Sequence, residues 1–112
     1  MNENYQRIWN TVLAIPAGKV SSYGRIADLA GLPGRARLVG KALGYAPDAL
    51  EVPWHRVLRS SGQLAFEAAS KTAIRQARLL HAEGVVVRNN RVDLKIYGWS
   101  PDISEMLFGL DY

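Results

Sequence analysis

Gly31-Leu32-Pro33-Gly34 constrains this chain more than any other stretch. Proline fixes its own φ and disfavours helix in the residue before it, while a glycine on each side lets the backbone reverse. A helix reaching Ala30 must therefore stop, and a new one must start within a few residues. Before the break, Ser21 or Ser22 can cap a helix in which Ile26, Ala27, Leu29 and Ala30 turn inward. After it, the spacing predicts a third helix from Arg35 to about Leu43, with Leu38, Val39, Ala42 and Leu43 packing and Arg35, Arg37 and Lys41 charged. Two short helices joined by a tight glycine-containing turn, the second one basic, have the outline of a helix-turn-helix.

The flanking segments fit that outline. Tyr5, Ile8, Trp9, Val12 and Leu13 form one apolar stripe of a first helix that Pro16 and Gly18 end. Residues 44–62 contain Gly44, Pro47, Pro53 and Gly62 without a sustained period, which predicts a long ordered loop of the kind that usually carries function. From Ser70 to Glu83, Ile74, Ala77, Leu80 and His81 are expected on one helical face, with Gly84 as terminator. Val85–Arg88 and Arg91–Ile96 flank Asn89-Asn90, a pair suited to positive φ, and predict a hairpin in the position of a wing. Ser100-Pro101-Asp102 opens a predicted tail helix with Ile103, Met106, Leu107 and Leu110 on one face. The expected fold is α/β but mostly helical, a winged helix-turn-helix in one domain, 1–112.

Composition narrows the chemistry. The 112 residues include no cysteine, which rules out disulfides, thiolate metal ligands and thiol nucleophiles. Two histidines without a His-Glu-x-x-His helix make a poor metal site, so no metal and no cofactor are expected. A Ser-His-Glu hydrolase assembled from Ser60 or Ser61, His55 and Glu83 lacks a Gly-x-Ser-x-Gly elbow and any mark of an oxyanion hole. Neither a secretory signal nor a membrane-length apolar run is found, so a cytoplasmic, DNA-associated monomer is expected. The net charge is +4, yet residues 99–112 hold three acids and no Lys or Arg, leaving 14 basic against 7 acidic residues elsewhere. A basic body suits a polyanion, nucleic acid before membrane.

Pro53-Trp54-His55-Arg56-Val57 gives this a specific form. It resembles the Pro-Cys-His-Arg-Val active-site segment of the O6-alkylguanine-DNA alkyltransferases, with tryptophan in place of the acceptor cysteine, as in the alkyltransferase-like proteins. The resemblance extends through Lys19-Val20-Ser21-Ser22-Tyr23-Gly24, Arg37-Leu38-Val39-Gly40 and His81-Ala82-Glu83-Gly84. It implies that the third helix enters the minor groove, where Ala36 and Gly40 permit close approach and Arg35 and Lys41 meet phosphates. It also implies that Arg37 fills the gap left by an extruded nucleotide and that Tyr23 wedges it outward. Leu43, Trp54, His55 and Arg56 complete the expected lesion-binding set. His55 and Glu83 match the pair that activates the cysteine in catalytic relatives; here a structural link between loop and helix is expected.

The function so implied is non-enzymatic binding of O6-alkylguanine in duplex DNA, with nucleotide flipping and marking of the lesion for nucleotide excision repair proteins. An ordinary winged-helix regulator, reading sequence in the major groove, is the competing reading. Two departures from the family pattern, Ala46 for the usual Asn before Pro47 and the rim Gln63–Ala69, imply a pocket of altered size and edge chemistry. Trp54→Cys is therefore expected to transfer alkyl groups slowly or not at all, because in-line attack needs the sulfur within about 3.5 Å of the carbon. Single-turnover mass spectrometry checks this, and rapid stoichiometric methylation of the introduced thiol is the contrary result.

Overall fold

The computed structural model describes residues 2–101. Helix α1 spans Glu3–Leu13, and the Asn2 side chain caps it by accepting from the Asn4 and Tyr5 amides. Ile8, Trp9 and Val12 are buried along its stripe, whereas Leu13, expected inside, is largely exposed. A two-residue strand, β1 (Ser21–Ser22), leads directly into α2 (Tyr23–Leu29), whose cap is Ser22, accepting from the Arg25 amide. The 31–34 break delivers α3 (Ala36–Gly44), which buries Val39 and Ala42. The Trp9 indole donates to the Ala42 carbonyl at 2.7 Å, tying α1 to the last turn of the basic helix. These three helices enclose one hydrophobic cluster, built from Ile8, Trp9, Val12, Ile15, Ile26, Ala27, Ala30, Val39, Ala42 and Val57.

Residues 44–62 contain more regular structure than the expected loop. Two single 3-10 turns, Asp48–Leu50 and Trp54–Arg56, precede strand β2 (Val57–Leu58). β2 pairs in parallel with β1, Ser21 against Val57 and Ser22 against Leu58. The ladder is short, yet it ties the segment that leads into α2 to the segment that follows the Trp54 turn.

Helix α4 (Lys71–Ala82) is capped by Ser70 and stops at Gly84, which takes φ +83°. Its inward face differs from the expected one. Ala73, Gln76 and Leu80 are buried, while Ile74 and His81 are exposed. The cause is polar: the buried Gln76 amide donates to the carbonyls of His55 and Val57, so a residue that hydropathy assigns to solvent turns toward the 53–58 segment.

The wing is corrected likewise. Asn89 and Asn90 do take positive φ, and Arg88 and Arg91 exchange backbone hydrogen bonds across them. The ladder goes no further as a hairpin. The Val92 amide donates to Gly62 and the Leu64 amide to the Asn90 carbonyl, so the 62–64 segment takes the partners that Val85–Val87 would have used. Asp93 then caps α5 (Leu94–Tyr97) by accepting from Lys95, which converts the expected second strand into a helical turn. A second cluster forms beneath this arrangement from Val20, Leu58, Leu64, Ala73, Leu80, Val85 and Val92. The predicted tail helix lies outside the described residues.

Gly62 is the tightest point of the junction. It takes φ +89°, and an added Cβ would run into the Val92 carbonyl oxygen. Gly62→Ala should destabilise the fold by about 2 to 3 kcal/mol, from the disfavoured backbone together with that clash. Urea denaturation measures the loss.

Candidate nucleic-acid interface

A cavity of about 380 Å³ opens where the two clusters meet, lined by Tyr23, Gly40, Leu43, Gly44, Trp54, Phe66, Thr72 and Arg75. Five segments build it: the start of α2, the second half of α3, the Trp54 turn, the 63–69 segment with Phe66, and the first half of α4. Trp54 is the central surface. The Phe66 ring meets it edge-on, with centroids 6.3 Å apart and planes at 83°, and the Arg75 Cζ lies 5.7 Å from its ring centroid. Phe66 is held in turn by the Asn89-Asn90 turn, since the Asn90 side chain donates to the Phe66 carbonyl at 2.9 Å. The segment expected to be a wing thus braces the rim of the cavity. Burial pushes the Tyr23 phenol up from its ordinary pKa, so it remains a neutral hydroxyl.

Of the residues expected to form the site, Tyr23, Gly40, Leu43 and Trp54 converge on this cavity. Arg35, Ala36, Arg37 and Lys41 line a neighbouring concavity along the first half of α3, with Gly34 and Leu38. Arg37, Gly40, Lys41 and Gly44 are all exposed and recur at helical spacing, so one face of α3 joins the basic concavity to the cavity. Gly44, Phe66, Thr72 and Arg75 also line the cavity and lie outside the expected set. Phe66 falls in the 63–69 segment, whose departure from the family pattern was the available signal. Thr72 and Arg75 gave none, because solvent-side positions of a helix carry no hydrophobic period.

His55 and Arg56, expected in the lesion-binding set, are not among the residues that line the cavity. Their partner is Glu83, which caps α4 at its C-terminus. Arg56 Nε donates to both Glu83 carboxylate oxygens and Nη2 to Oε2 at 2.6 Å, while Nη1 donates to the Ile15 carbonyl at 2.8 Å. His55 Nε2 lies 2.8 Å from Glu83 Oε2 and donates to the ionised carboxylate. The Gly18 amide donates to Oε1. The expected link between His55 and Glu83 is present, with Arg56 as its strongest arm.

Burial would raise the Glu83 pKa. The hydrogen bonds from Arg56, His55 and Gly18 outweigh it, with the nearby His55 charge assisting, and bring the carboxyl down to about 2. Among the described residues, no three His, Asp or Glu side chains gather as a metal site would require.

Known proteins share this sequence and geometry. The family described as 6-O-methylguanine DNA methyltransferase, DNA binding domain, matches residues 3–85. A DNA base-flipping protein of Vibrio parahaemolyticus is 41% identical over 102 residues, covering 90% of this chain and all of that protein. The crystal structure of Schizosaccharomyces pombe Atl1 in complex with damaged DNA containing O6-carboxymethylguanine superposes with a TM-score of 0.81 at 38% identity, over 90% of this chain and 98% of that one. A Mycobacterium tuberculosis OGT structure in complex with DNA shows a TM-score of 0.64 at 43% identity, over 74% of this chain and half of that one.

The Glu83 cluster makes stability depend on pH. A carboxyl whose folded pKa lies below its unfolded value stabilises the fold above the unfolded value, near 4.5, and that contribution is lost as pH falls toward 2. Glu83→Gln should destabilise the protein at pH 7 by on the order of 2 kcal/mol, allowing for screening at the edge of solvent. The difference from wild type should shrink between about pH 4.5 and 2, as guanidinium denaturation across that range would show.

Proposed function

The chain belongs to the family of the 6-O-methylguanine DNA methyltransferase DNA-binding domain, and on that premise we propose that it binds duplex DNA carrying O6-alkylguanine without transferring the alkyl group. In this reading residues 1–112 act as one domain and one copy. α3 docks in the minor groove, Arg37 occupies the gap in the stack, Tyr23 crowds the target nucleotide, and the damaged base enters the cavity beside Trp54.

The observation that carries the reading is a set of glycines without a folding reason. Gly24, Gly40 and Gly44 lie in helices and do not take positive φ. A Cβ added at Gly24 or Gly44 would meet nothing within 4 Å among the described residues, and one at Gly40 would make only an ordinary contact, 3.8 Å from the Tyr23 ring. At the interior position of Gly40 the glycine nonetheless costs about 1 kcal/mol relative to alanine. Gly40 and Gly44 line the cavity, and Arg37 and Lys41 share their face. Close approach of an anionic polymer to the backbone of α3 gives both features one purpose.

The cavity volume lies at the lower end of the range for small-molecule sites, a size suited to one extruded base with its substituent. Trp54 supplies an aromatic surface where the enzymes of the family keep a nucleophile, and with no cysteine in the chain nothing can accept the alkyl group by their chemistry. Retention of the lesion in a stable complex then serves to mark it for nucleotide excision repair proteins. An intracellular, DNA-associated location belongs to the same reading. Among the described residues no helix is long and apolar enough to cross a membrane.

Titration of duplexes identical except for G or O6-methylguanine at one position tests it. Preferential binding of the lesion duplex, with no alkylated protein by mass spectrometry, is the expected outcome. Sequence preference without lesion preference would favour a regulator, and alkylated protein would favour an enzyme. Arg37→Ala should weaken the lesion complex by about 1 to 3 kcal/mol and the undamaged complex less. Lys41→Ala should weaken both equally and lower the salt slope by about one; equal losses for Arg37→Ala would reject its place in the stack.

A further inference from the structure

Two arginines lie near Trp54 in opposite electrostatic situations. Arg56 spends its guanidinium on Glu83 and the Ile15 carbonyl. Arg75 rests over the Trp54 face, and among the described residues its guanidinium has neither a carboxylate nor a hydrogen-bond acceptor. It is also the one charged side chain among those lining the cavity. At 5.7 Å from the ring centroid the Arg75 Cζ is within cation–π range of the indole, a contact that leaves the guanidinium N–H groups unspent.

Thr72 lies three residues earlier on α4 and lines the same cavity, which brings a hydroxyl-bearing side chain to the same helical face as Arg75. The first turn of α4 contains no acid, so the positive end of that helix dipole is left uncancelled near Thr72. The remaining lining is apolar, aromatic or glycine apart from the Tyr23 hydroxyl. An uncompensated cation with a hydroxyl on the same helical face, in a cavity whose other walls are mostly carbon, is complementary to a carboxylate rather than to a bare alkyl group.

We propose that Arg75, assisted by Thr72, makes this cavity selective for O6 substituents that end in a carboxylate over neutral substituents of the same size. The inference rests on the lesion-binding reading above and adds a specificity determinant to it. The charge of the substituent, not its bulk alone, then decides which lesions are held longest. A DNA phosphate is the other anion that Arg75 could meet, and the experiment separates the two.

Four duplexes differing at one position, bearing G, O6-methylguanine, O6-carboxymethylguanine or the neutral isostere O6-carbamoylmethylguanine, are titrated by fluorescence anisotropy against wild type, Arg75→Gln and Arg75→Lys. Circular dichroism confirms that each variant is folded. Wild type should bind the carboxymethyl duplex roughly tenfold more tightly than the carbamoylmethyl one, the lower end for a charge-assisted hydrogen bond because Arg75 is partly in solvent. The ratio should fall with added salt, approach one in Arg75→Gln, and be kept in part by Arg75→Lys, which has the charge without the fork. Equal wild-type affinity for those two duplexes, with both preferred over G, would overturn the proposal. So would an Arg75→Gln loss of the same factor on all four duplexes, the signature of a phosphate contact. If no modified duplex is preferred over G, the lesion-binding reading itself fails and this inference fails with it.

Discussion

A single carboxylate holds together the parts on which the site depends. Glu83 caps α4 and accepts from the Gly18 amide, His55 Nε2 and two nitrogens of Arg56, whose third nitrogen reaches the Ile15 carbonyl. The turn after α1, the turn carrying Trp54 and the end of α4 are thereby fixed to one another, although they are far apart in sequence. The carboxylate side chain is only 15% exposed, and at that burial an ionised acid is tolerated only if its lone pairs are matched. Here they are matched by charged and backbone donors together. A His-Glu pair that would prepare a nucleophile in a catalytic relative is, in a chain with no thiol, part of a structural clasp.

The 53–58 segment is consequently positioned by side chains more than by backbone ladders. β1 and β2 contribute two residues each, and Gln76 adds two hydrogen bonds from α4 to the His55 and Val57 carbonyls. Trp54 projects from a turn that is clamped behind by Glu83 and Gln76 and packed in front by Phe66. The cavity it faces is walled on one side by α3, which belongs to the first hydrophobic cluster, and on the other by α4 and Phe66, which pack on the second. A cavity at the seam between two small cores needs no hollow in either.

Much of the helical frame was legible before any coordinates. The frame of α1 to α4 follows from the Ser22 cap, the breaks at Pro16-Gly18 and 31–34, the Gly84 terminator and apolar spacing, since these signals act within a few residues of the chain. Tyr23, Gly40, Leu43 and Trp54 were placed in the site by motif, and the cavity gathers them. The hairpin and the inner face of α4 were not legible, and for one reason. The backbone of 91–92 pairs with 62–64, and Gln76 turns inward to serve two carbonyls, so in both places a distant polar partner outweighed the local pattern.

The two arginines beside Trp54 mark the division most clearly. The sequence by itself determined that no thiol could react, that an aromatic residue occupies the acceptor position, and where the basic helix begins and ends, because those properties are carried by residue identity and short-range spacing. Only the tertiary structure decided that Arg56 would be neutralised behind the loop by Glu83, 27 positions away, while Arg75 would be left charged against the indole in front of it. Nothing local distinguishes one arginine from the other. Whether a cation is paired depends on which carboxylate the folded chain brings within a few ångströms of it, and that distance exists only once the helices have packed.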